Sequence, residues 1–160
     1  MQILEAVMDV NERQPEKMVE LLRRRMPGLA GRTVTVLGLA FKPGTDDMRE
    51  SPAIPVVNAL RAAGAHVRAF DPVARLEAEK VLGHDHITFV DDLKSAVSGT
   101  DAILLMTRWP EFDLLPSLLT ALDADPVVVD GRRMLDPSSV ANYEGIGFTP
   151  SASPVAQPVA

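Results

Sequence analysis

Short apolar segments recur along the sequence from residue 33 onward, and most of them are rich in valine, isoleucine or leucine. An apolar run of this kind between turn-forming residues is typical of a strand that is buried on both faces of a sheet. The pattern therefore predicts buried strands at residues 33–39, 66–70, 87–90, 102–106 and 127–129.

The stretches between these strands carry signals for the start and end of helices. Ser51-Pro52 and Asp71-Pro72 each offer an N-cap side chain followed by a proline that suits the first turn of a helix. Gly64 and Gly83 stand where helices commonly end in the left-handed conformation. Helices are predicted at residues 53–63, 73–83, 93–97 and 110–122, the third capped by Asp91 or Asp92 and the last bent or split at Pro116.

The N-terminal segment at residues 3–26 also has the apolar spacing of a helix. Pro15 lacks a backbone N–H, and its ring clashes with the preceding turn of a continuous helix. We therefore expect two helices that divide near Gln14, with Pro15 at the first position of the second.

Strands that alternate with helices require crossover connections, and these produce a mostly parallel sheet with helices on both faces. The pattern thus predicts an α/β domain. The chain has 160 residues, of which 46% are hydrophobic, and this is enough for one such domain with some flanking sequence.

The balance of charge and the lack of cysteine narrow the classes of function. The 16 Lys and Arg residues against 22 Asp and Glu give a net charge of −6, which argues against broad binding to nucleic acid or to an anionic membrane. No apolar run predicts a membrane span, and the N-terminus does not resemble a secretory signal. The absence of cysteine excludes a disulfide, a thiolate metal site or a cysteine nucleophile within this chain, and it fits a reducing compartment.

Candidate chemistry is concentrated in the loops that follow the predicted strands. In an open parallel sheet, ligands bind beyond the carboxyl ends of the strands. Three such loops contain basic residues, namely Lys42, Arg49, Arg108, Arg132 and Arg133. Cations in these positions suit a polyanionic small ligand such as a diphosphate. The alternative is that they form surface salt bridges with nearby acids, namely Asp46, Asp47, Glu50 and Asp130.

Several other motifs favour a structural interpretation. The segment at residues 38–44 has neither the G-x-G-x-x-G fingerprint of a dinucleotide site nor the pattern of a P-loop. Without those glycines, Asp71 is interpreted as a helix cap rather than a ribose ligand. The His84-Asp85-His86 segment is predicted to be a solvated loop, because nothing nearby completes a metal-ligand set. For Trp109 and Phe112, packing is favoured over stacking on a base.

The loop sequences also occur in a distinctive order. They are GLAFKPGTDDMRESP at residues 38–52, GAHVRAFDP at 64–72, TRWPEF at 107–112 and DGR at 130–132, preceded by NERQ at 11–14. Together they resemble the C-terminal domain of the UDP-glucose/GDP-mannose dehydrogenase family, and most closely its UDP-glucose 6-dehydrogenase branch. The first motif is long and specific, whereas the short motifs support the resemblance only through their order and spacing.

This resemblance implies a Rossmann-like three-layer αβα sandwich with a mostly parallel sheet, preceded by an N-terminal helical segment. It divides the chain into a helical linker at residues 1–30, a UDP-sugar-binding domain at 31–148 and a flexible tail at 149–160. In that family, NAD oxidises a nucleotide sugar twice, through a thioester on a catalytic cysteine. The cysteine and the NAD domain lie upstream of the segment seen here, so the resemblance implies a C-terminal portion that is inactive alone.

The resemblance also implies roles for individual residues. Phe41 and Lys42 would contact the nucleotide sugar, Arg132 would reach the UDP moiety, and Arg49 would approach NAD held by the N-terminal domain. No residue of the chain is assigned to catalysis or to a metal. Arg108 receives no role, because many relatives have an acidic residue there.

The implied partners are UDP-glucose or UDP, the N-terminal NAD-binding and central domains of the same enzyme, and a second copy in a homodimer, all in the cytoplasm. Two alternatives stay open at this point. The chain could be a stand-alone α/β regulatory or protein-interaction module, or it could be the same domain of a GDP-mannose or UDP-N-acetyl-sugar dehydrogenase.

Overall fold

The computed structural model describes the backbone of residues 2–149 and the side chains of residues 13–149. The helices within this range are α1 Gln2–Arg25, α2 Ala53–Ala62, α3 Arg75–Leu82, α4 Leu93–Val97 and α5 Leu115–Ala121. The strands are β1 Thr33–Leu37, β2 His66–Phe70, β3 Ile87–Phe89, β4 Ala102–Leu105, β5 Val127–Asp130 and β6 Tyr143–Gly145. Two 3-10 turns cover Pro110–Leu114 and Pro137–Ser139.

The strands form one six-stranded sheet in the order β3-β2-β1-β4-β5-β6, and every neighbouring pair is parallel. Val36 in the central strand β1 stands beside Ala69 of β2 and Leu104 of β4. The direction in which strands are added reverses between β1 and β4, which is the topological switch point of a doubly wound sheet. The predicted Rossmann-like α/β fold with a parallel sheet is confirmed.

The two faces of the sheet are covered by different helices, as the period of two along each strand requires. On one face, Val34 and Val36 pack with residues of α1, α2 and α3. On the other face, Leu37 and Ile103 pack with α4, α5 and the fully buried ring of Phe112. The result is the three-layer αβα sandwich that the resemblance implied.

The prediction that the N-terminal segment divides near Gln14 is wrong. The structure has one helix, α1, with Pro15 inside it. A proline removes its own backbone donor but leaves the following donors intact. The turn after Pro15 is retained because Met18 and Leu22 are almost completely buried in the core.

Other predicted boundaries differ by a few residues. β1 ends at Leu37 because Gly38 turns the chain at a φ of +88°. Helix α3 begins at Arg75 rather than directly after Pro72, since a turn follows the proline. The helix predicted at 110–122, bent or split at Pro116, is indeed divided: it starts as a 3-10 turn and becomes α5 at Leu115. The predicted flexible tail at residues 149–160 lies outside the described residues except for Thr149.

Strand β6 was not predicted from the sequence. It consists of Tyr143, Glu144 and Gly145, which form no apolar run, and it extends the sheet beside β5. The buried Glu144 is compensated by an ion pair with Arg25 of α1 at 3.0 Å. A strand defined by such long-range contacts leaves almost no local pattern to find.

Candidate functional site

The loops after β1 and β4 touch at the switch point. A Cβ atom added at Gly38 would lie 2.6 Å from both the backbone nitrogen and the Cβ atom of Thr107, so only glycine permits this approach. The Thr107 hydroxyl donates a 2.7 Å hydrogen bond to the carbonyl oxygen of Ala40. The crevice between the two strands is therefore closed at its base, and the candidate site is formed by the loops that rise above it.

A buried carboxylate joins three of these loops. Asp71 follows β2 directly and is 3% exposed. Both of its oxygens accept hydrogen bonds, Oδ2 from the loops after β1 and β4 and Oδ1 from the turn before α3. The donors, at 2.8 to 3.3 Å, are the backbone N–H groups of Leu39, Ala40, Val73 and Ala74 and the indole N–H of Trp109. The prediction that Asp71 caps the next helix is wrong, because the N-cap of α3 is Ala74 and Asp71 instead accepts the N–H groups of the turn that precedes the helix.

Phe41 and Lys42 extend from the loop that Asp71 fixes. Phe41 is 46% exposed, which is unusual for a residue with a large apolar side chain. The Lys42 side chain is exposed and forms no hydrogen bond or ion pair with any residue that the structure describes. A backbone hydrogen bond of 2.8 Å from Phe41 to Asp47 closes the loop behind them. The loop thus presents one aromatic ring and one available cation to solvent.

Arg49 has a different environment. Its guanidinium donates two hydrogen bonds to the Asp47 carboxylate, at 3.0 and 2.9 Å, and this contact holds the pKa of that carboxyl at about 2. Both side chains line an open groove of about 590 Å³ between this loop and Glu77 and Val81 of α3. For Arg49, the salt-bridge alternative is therefore the arrangement observed.

Arg132 is held by its own loop after β5. Its Nε atom donates to the carbonyl oxygen of Met106 at 2.6 Å, which ties the loops after β4 and β5 together. The fully buried Asp130 carboxylate accepts the backbone N–H groups of Arg132 and Leu135, each at 2.9 Å, and the Tyr143 hydroxyl at 3.2 Å. Burial, together with the negative charge of Asp130, raises the pKa of Tyr143 to about 12.

A pocket of about 260 Å³ lies beside Arg132. Its wall includes Gly131, where an added Cβ atom would lie 2.8 Å from the Met18 sulfur and 2.9 Å from the Leu105 carbonyl oxygen. α1 and the start of α2 complete the pocket, which is lined by Gln14, Pro15, Met18, Pro52, Met106, Gly131, Arg132 and Ile146.

The four residues singled out from the sequence thus occupy the same edge of the sheet without sharing one enclosed pocket. Arg132 lines the pocket beside α1, and Arg49 lines the groove beside α3. Phe41 and Lys42 line neither of these two depressions and remain on the exposed loop. The arrangement is an open surface with cations at separate positions, suited to an extended anionic ligand.

The other sequence motifs behave as structural elements. The imidazoles of His84 and His86 are exposed, and among the described residues no group of three His, Cys, Asp or Glu side chains could hold a metal ion. Phe112 packs edge-on against Phe70 with 6.1 Å between ring centroids, and Trp109 packs half-buried beside the same core. No helix within the described part of the chain combines the length and apolarity needed to cross a membrane.

Sequence reasoning missed the long-range role of Asp71 and the anchoring role of Asp130. Asp71 directly follows the buried strand β2, whereas Asp130 is the last residue of β5 and part of the Asp-Gly-Arg motif. This placement was a usable signal for Asp130, because its backbone partners lie two and five residues ahead. The partners of Asp71 after β1 and β4 lie 31 to 38 residues away, and no local pattern indicates them.

Comparison of the chain with known proteins finds a matching family and related sequences. Residues 35–137 match the sequence model described as the UDP-glucose/GDP-mannose dehydrogenase family, UDP binding domain. The chain is 40% identical over 144 residues to UDP-glucose 6-dehydrogenase TuaD of Bacillus subtilis and 42% identical over 144 residues to UDP-glucose 6-dehydrogenase AglM of Haloferax volcanii. These alignments cover 88% and 90% of this chain but 31% and 33% of the relatives.

A solved structure matches a similar share of the chain. The structure of a UDP-glucose dehydrogenase from the archaeon Pyrobaculum islandicum matches with a TM-score of 0.81 and 41% sequence identity. The match covers 93% of this chain and 33% of that chain. The chain therefore spans about a third of the length of the relatives that it matches.

Proposed function

The chain belongs to the UDP-glucose/GDP-mannose dehydrogenase family by its UDP-binding domain, and on this premise we propose that it binds the UDP part of UDP-glucose in a UDP-glucose 6-dehydrogenase. The observation that carries the proposal is the loop after β1. Its base is fixed by a buried carboxylate, while Lys42 beside it has no hydrogen bond or ion pair among the described residues. A cation held near a fixed backbone and left unpaired suits a diphosphate.

The three proposed substrate residues have complementary chemistry. Lys42 supplies a compact ammonium charge for a phosphate oxygen. Arg132 has its Nε atom committed to Met106, so its terminal NH2 groups are left to donate to the diphosphate or a ribose oxygen. Phe41 offers an exposed ring face for apolar contact with the nucleotide sugar.

NAD does not fit the switch point of this chain. Dinucleotide folds bind the pyrophosphate on backbone N–H groups of the loop after the first strand. Here the N–H groups of Leu39 and Ala40 already donate to Asp71, and a glycine-rich loop is absent. We therefore propose that another domain holds NAD and that Arg49 alone approaches it from this chain.

The remaining parts of the proposal concern the whole enzyme. The chain has no cysteine, so the thiol that the family uses in catalysis would come from outside it. In this account, residues 1–30 link the domain at 31–148 to central and NAD-binding domains, and 149–160 form a tail. The enzyme would act in the cytoplasm as a homodimer.

Calorimetric titration of the 160-residue chain with UDP and UDP-glucose tests the binding role. We expect saturable binding that Lys42→Ala or Arg132→Ala weakens about tenfold or more, as expected when a charge-assisted contact worth ~1.5–3 kcal/mol is removed. Arg108→Ala is the matched control, because Arg108 is an exposed cation in the neighbouring loop with no proposed role. No binding at millimolar ligand, or equal losses in all three variants, would contradict the proposal, and tighter binding of GDP would favour the GDP-mannose branch.

A further inference from the structure

We propose that Asp71 is the positioning residue of the nucleotide-sugar site, an internal anion that fixes the loop from which Phe41 and Lys42 extend. The ligand in this inference comes from the proposed function, whereas the effect of Asp71 on the loop is argued from geometry alone. Asp71 is only 3% exposed, and its carboxylate accepts hydrogen bonds from loop N–H groups, so its role in this proposal is to hold the loop rather than to touch the substrate.

The Asp71 carboxylate is surrounded by N–H donors. Four backbone N–H groups and one indole N–H converge on two oxygens. A set of donors without acceptors is the environment that backbone loops provide for a bound anion such as a phosphate. In this chain the anion is a side chain, and it occupies the loop amides that a dinucleotide fold uses for its ligand.

The backbone of the two residues before Phe41 is fully hydrogen-bonded. The N–H groups of Leu39 and Ala40 donate to Asp71. Their carbonyl oxygens accept the hydroxyls of Ser51 and Thr107, at 2.5 and 2.7 Å. Every backbone polar group of both residues is therefore used, although neither belongs to a strand or helix. The backbone is fixed up to the residue that precedes Phe41, whereas the side chains beyond it are exposed.

The fifth donor to Asp71 is a side chain from a different loop, the indole of Trp109. Trp109 is the single tryptophan of the chain and lies in the loop after β4. Its indole N–H reaches the same oxygen, Oδ2, that accepts the N–H groups of Leu39 and Ala40. Asp71 therefore links two loops at the switch point, and Trp109 fluorescence reports on this link.

Hydrogen exchange of the 160-residue wild-type chain, followed by NMR, gives the first test. We expect the N–H groups of Leu39 and Ala40 to exchange at least about 100-fold more slowly than that of Lys42, because exchange requires local opening of the contacts to Asp71. Equal exchange rates at these three positions would overturn the proposal without any variant.

The second test compares Asp71→Asn with Asp130→Asn, which makes the same change in another aspartate that is buried within the described residues. Asp71→Asn should speed exchange at Leu39 and Ala40 at least about tenfold and alter Trp109 emission, because an amide NH2 group would face backbone donors. Asp130→Asn should leave both readouts unchanged. The proposal is overturned if the two variants affect residues 39–40 equally, or if Asp71→Asn affects neither readout.

A UDP titration of the same proteins separates this inference from the proposed function. Asp71→Asn should weaken UDP binding about tenfold, whereas Asp92→Asn, a change in the exposed cap of α4, should not. If the wild-type chain bound no UDP while residues 39–40 behaved as expected, the proposed function would fail and the role of Asp71 in fixing the loop would stand. If UDP bound equally to wild type and to Asp71→Asn, the positioning role would be wrong and the binding function would stand.

Discussion

The loops after β1 and β5 are each anchored by a buried aspartate, yet the anchors are built differently. Asp130 ends β5 directly before the loop that it fixes and accepts N–H groups two and five residues ahead, with one further bond from Tyr143. Asp71 comes from the end of another strand, and it joins the loop after β1 to the loop after β4 across more than 30 residues of sequence. One anchor is local, whereas the other is part of the tertiary structure.

The two loops also prepare their cations differently. Arg132 is oriented in advance by its bond to the Met106 carbonyl. Lys42 has no such partner among the described residues, and its position is set only by the backbone before it, where the N–H groups of Ala40 and Phe41 are hydrogen-bonded. A site built this way combines one preorganised guanidinium with one adaptable ammonium group. Preorganisation lowers the entropy lost on binding, whereas a lysine without a fixed partner can adjust its position to the ligand.

Replacing the glycine of each loop by alanine should have the largest effect, and the effect should differ between the two loops. Gly38→Ala should reduce the free energy of unfolding by about 4 kcal/mol, because it combines a positive φ with a clash against the backbone of Thr107. Gly131→Ala should cost roughly 1–3 kcal/mol, since one of its near contacts is the flexible Met18 side chain. Urea unfolding of both variants is the measurement. An equal or larger loss for Gly131→Ala would contradict this ranking.

Alkaline pH should affect only the Asp130 anchor. The pKa of Tyr143 is raised to about 12 in the folded chain, whereas an unfolded tyrosine titrates near ~10. The folded state therefore holds the proton more tightly, so this contribution is complete below pH ~10 and is lost as the pH rises towards 12. The loss should reach roughly 2–3 kcal/mol and be absent in Tyr143→Phe.

Tyr143 is the single tyrosine of the chain, so the absorbance of tyrosinate measures its titration directly. The difference between the unfolding curves of wild type and Tyr143→Phe corrects for the lysines that titrate in the same range. A Tyr143 that ionises near its ordinary pKa would show that Asp130 does not accept from it.

The smallest expected effect concerns the exposed part of the loop after β1. Arg49→Ala should raise the pKa of Asp47 from about 2 towards its usual value near 3.8, because the hydrogen bonds from Arg49 are the largest cause of the depression. Any stabilisation from this pair is present above pH 3.8 and is lost as the pH falls towards 2. Since both side chains are solvated, the unfolding midpoint at neutral pH should not change measurably.

NMR titration of the Asp47 carboxyl carbon measures this pKa, and Lys42→Ala is the control. Lys42 acts on Asp47 only through a weaker charge attraction, so its removal should shift the pKa less than Arg49→Ala does. An equal shift in both variants would show that the bidentate contact is not formed.

The same contrast explains which features could be predicted from the sequence. The apolar runs of β1 and β4 and the cap at Asp92 are local signals, and the structure confirms them within two residues. The polar strand β6 and the continuous helix through Pro15 depend on contacts with distant residues, and local rules gave no indication of them.

The candidate site divides in the same way. Lys42, Arg49 and Arg132 could be selected as candidates because they stand in recognisable loop motifs, and their binding roles stay predictions. The salt bridge of Arg49 was one of two alternatives that the pattern left open. The support beneath them was not predictable. A carboxylate that closes the loop after β1 from the end of β2 becomes visible only when the sheet is assembled.

The most direct test of the account is a UDP titration of the isotopically labelled 160-residue chain, followed by backbone amide chemical shifts. We expect saturable shifts at residues 41–49 and 131–133 and at the amides that surround Asp71. No shift is expected in the remote pocket of about 300 Å³ between α5 and the turn before β6, which is lined by residues such as Leu119, Asp125 and Val140. Saturable shifts confined to that remote pocket, or no shifts at millimolar UDP, would contradict the central claim that the loops after β1 and β5 bind the diphosphate.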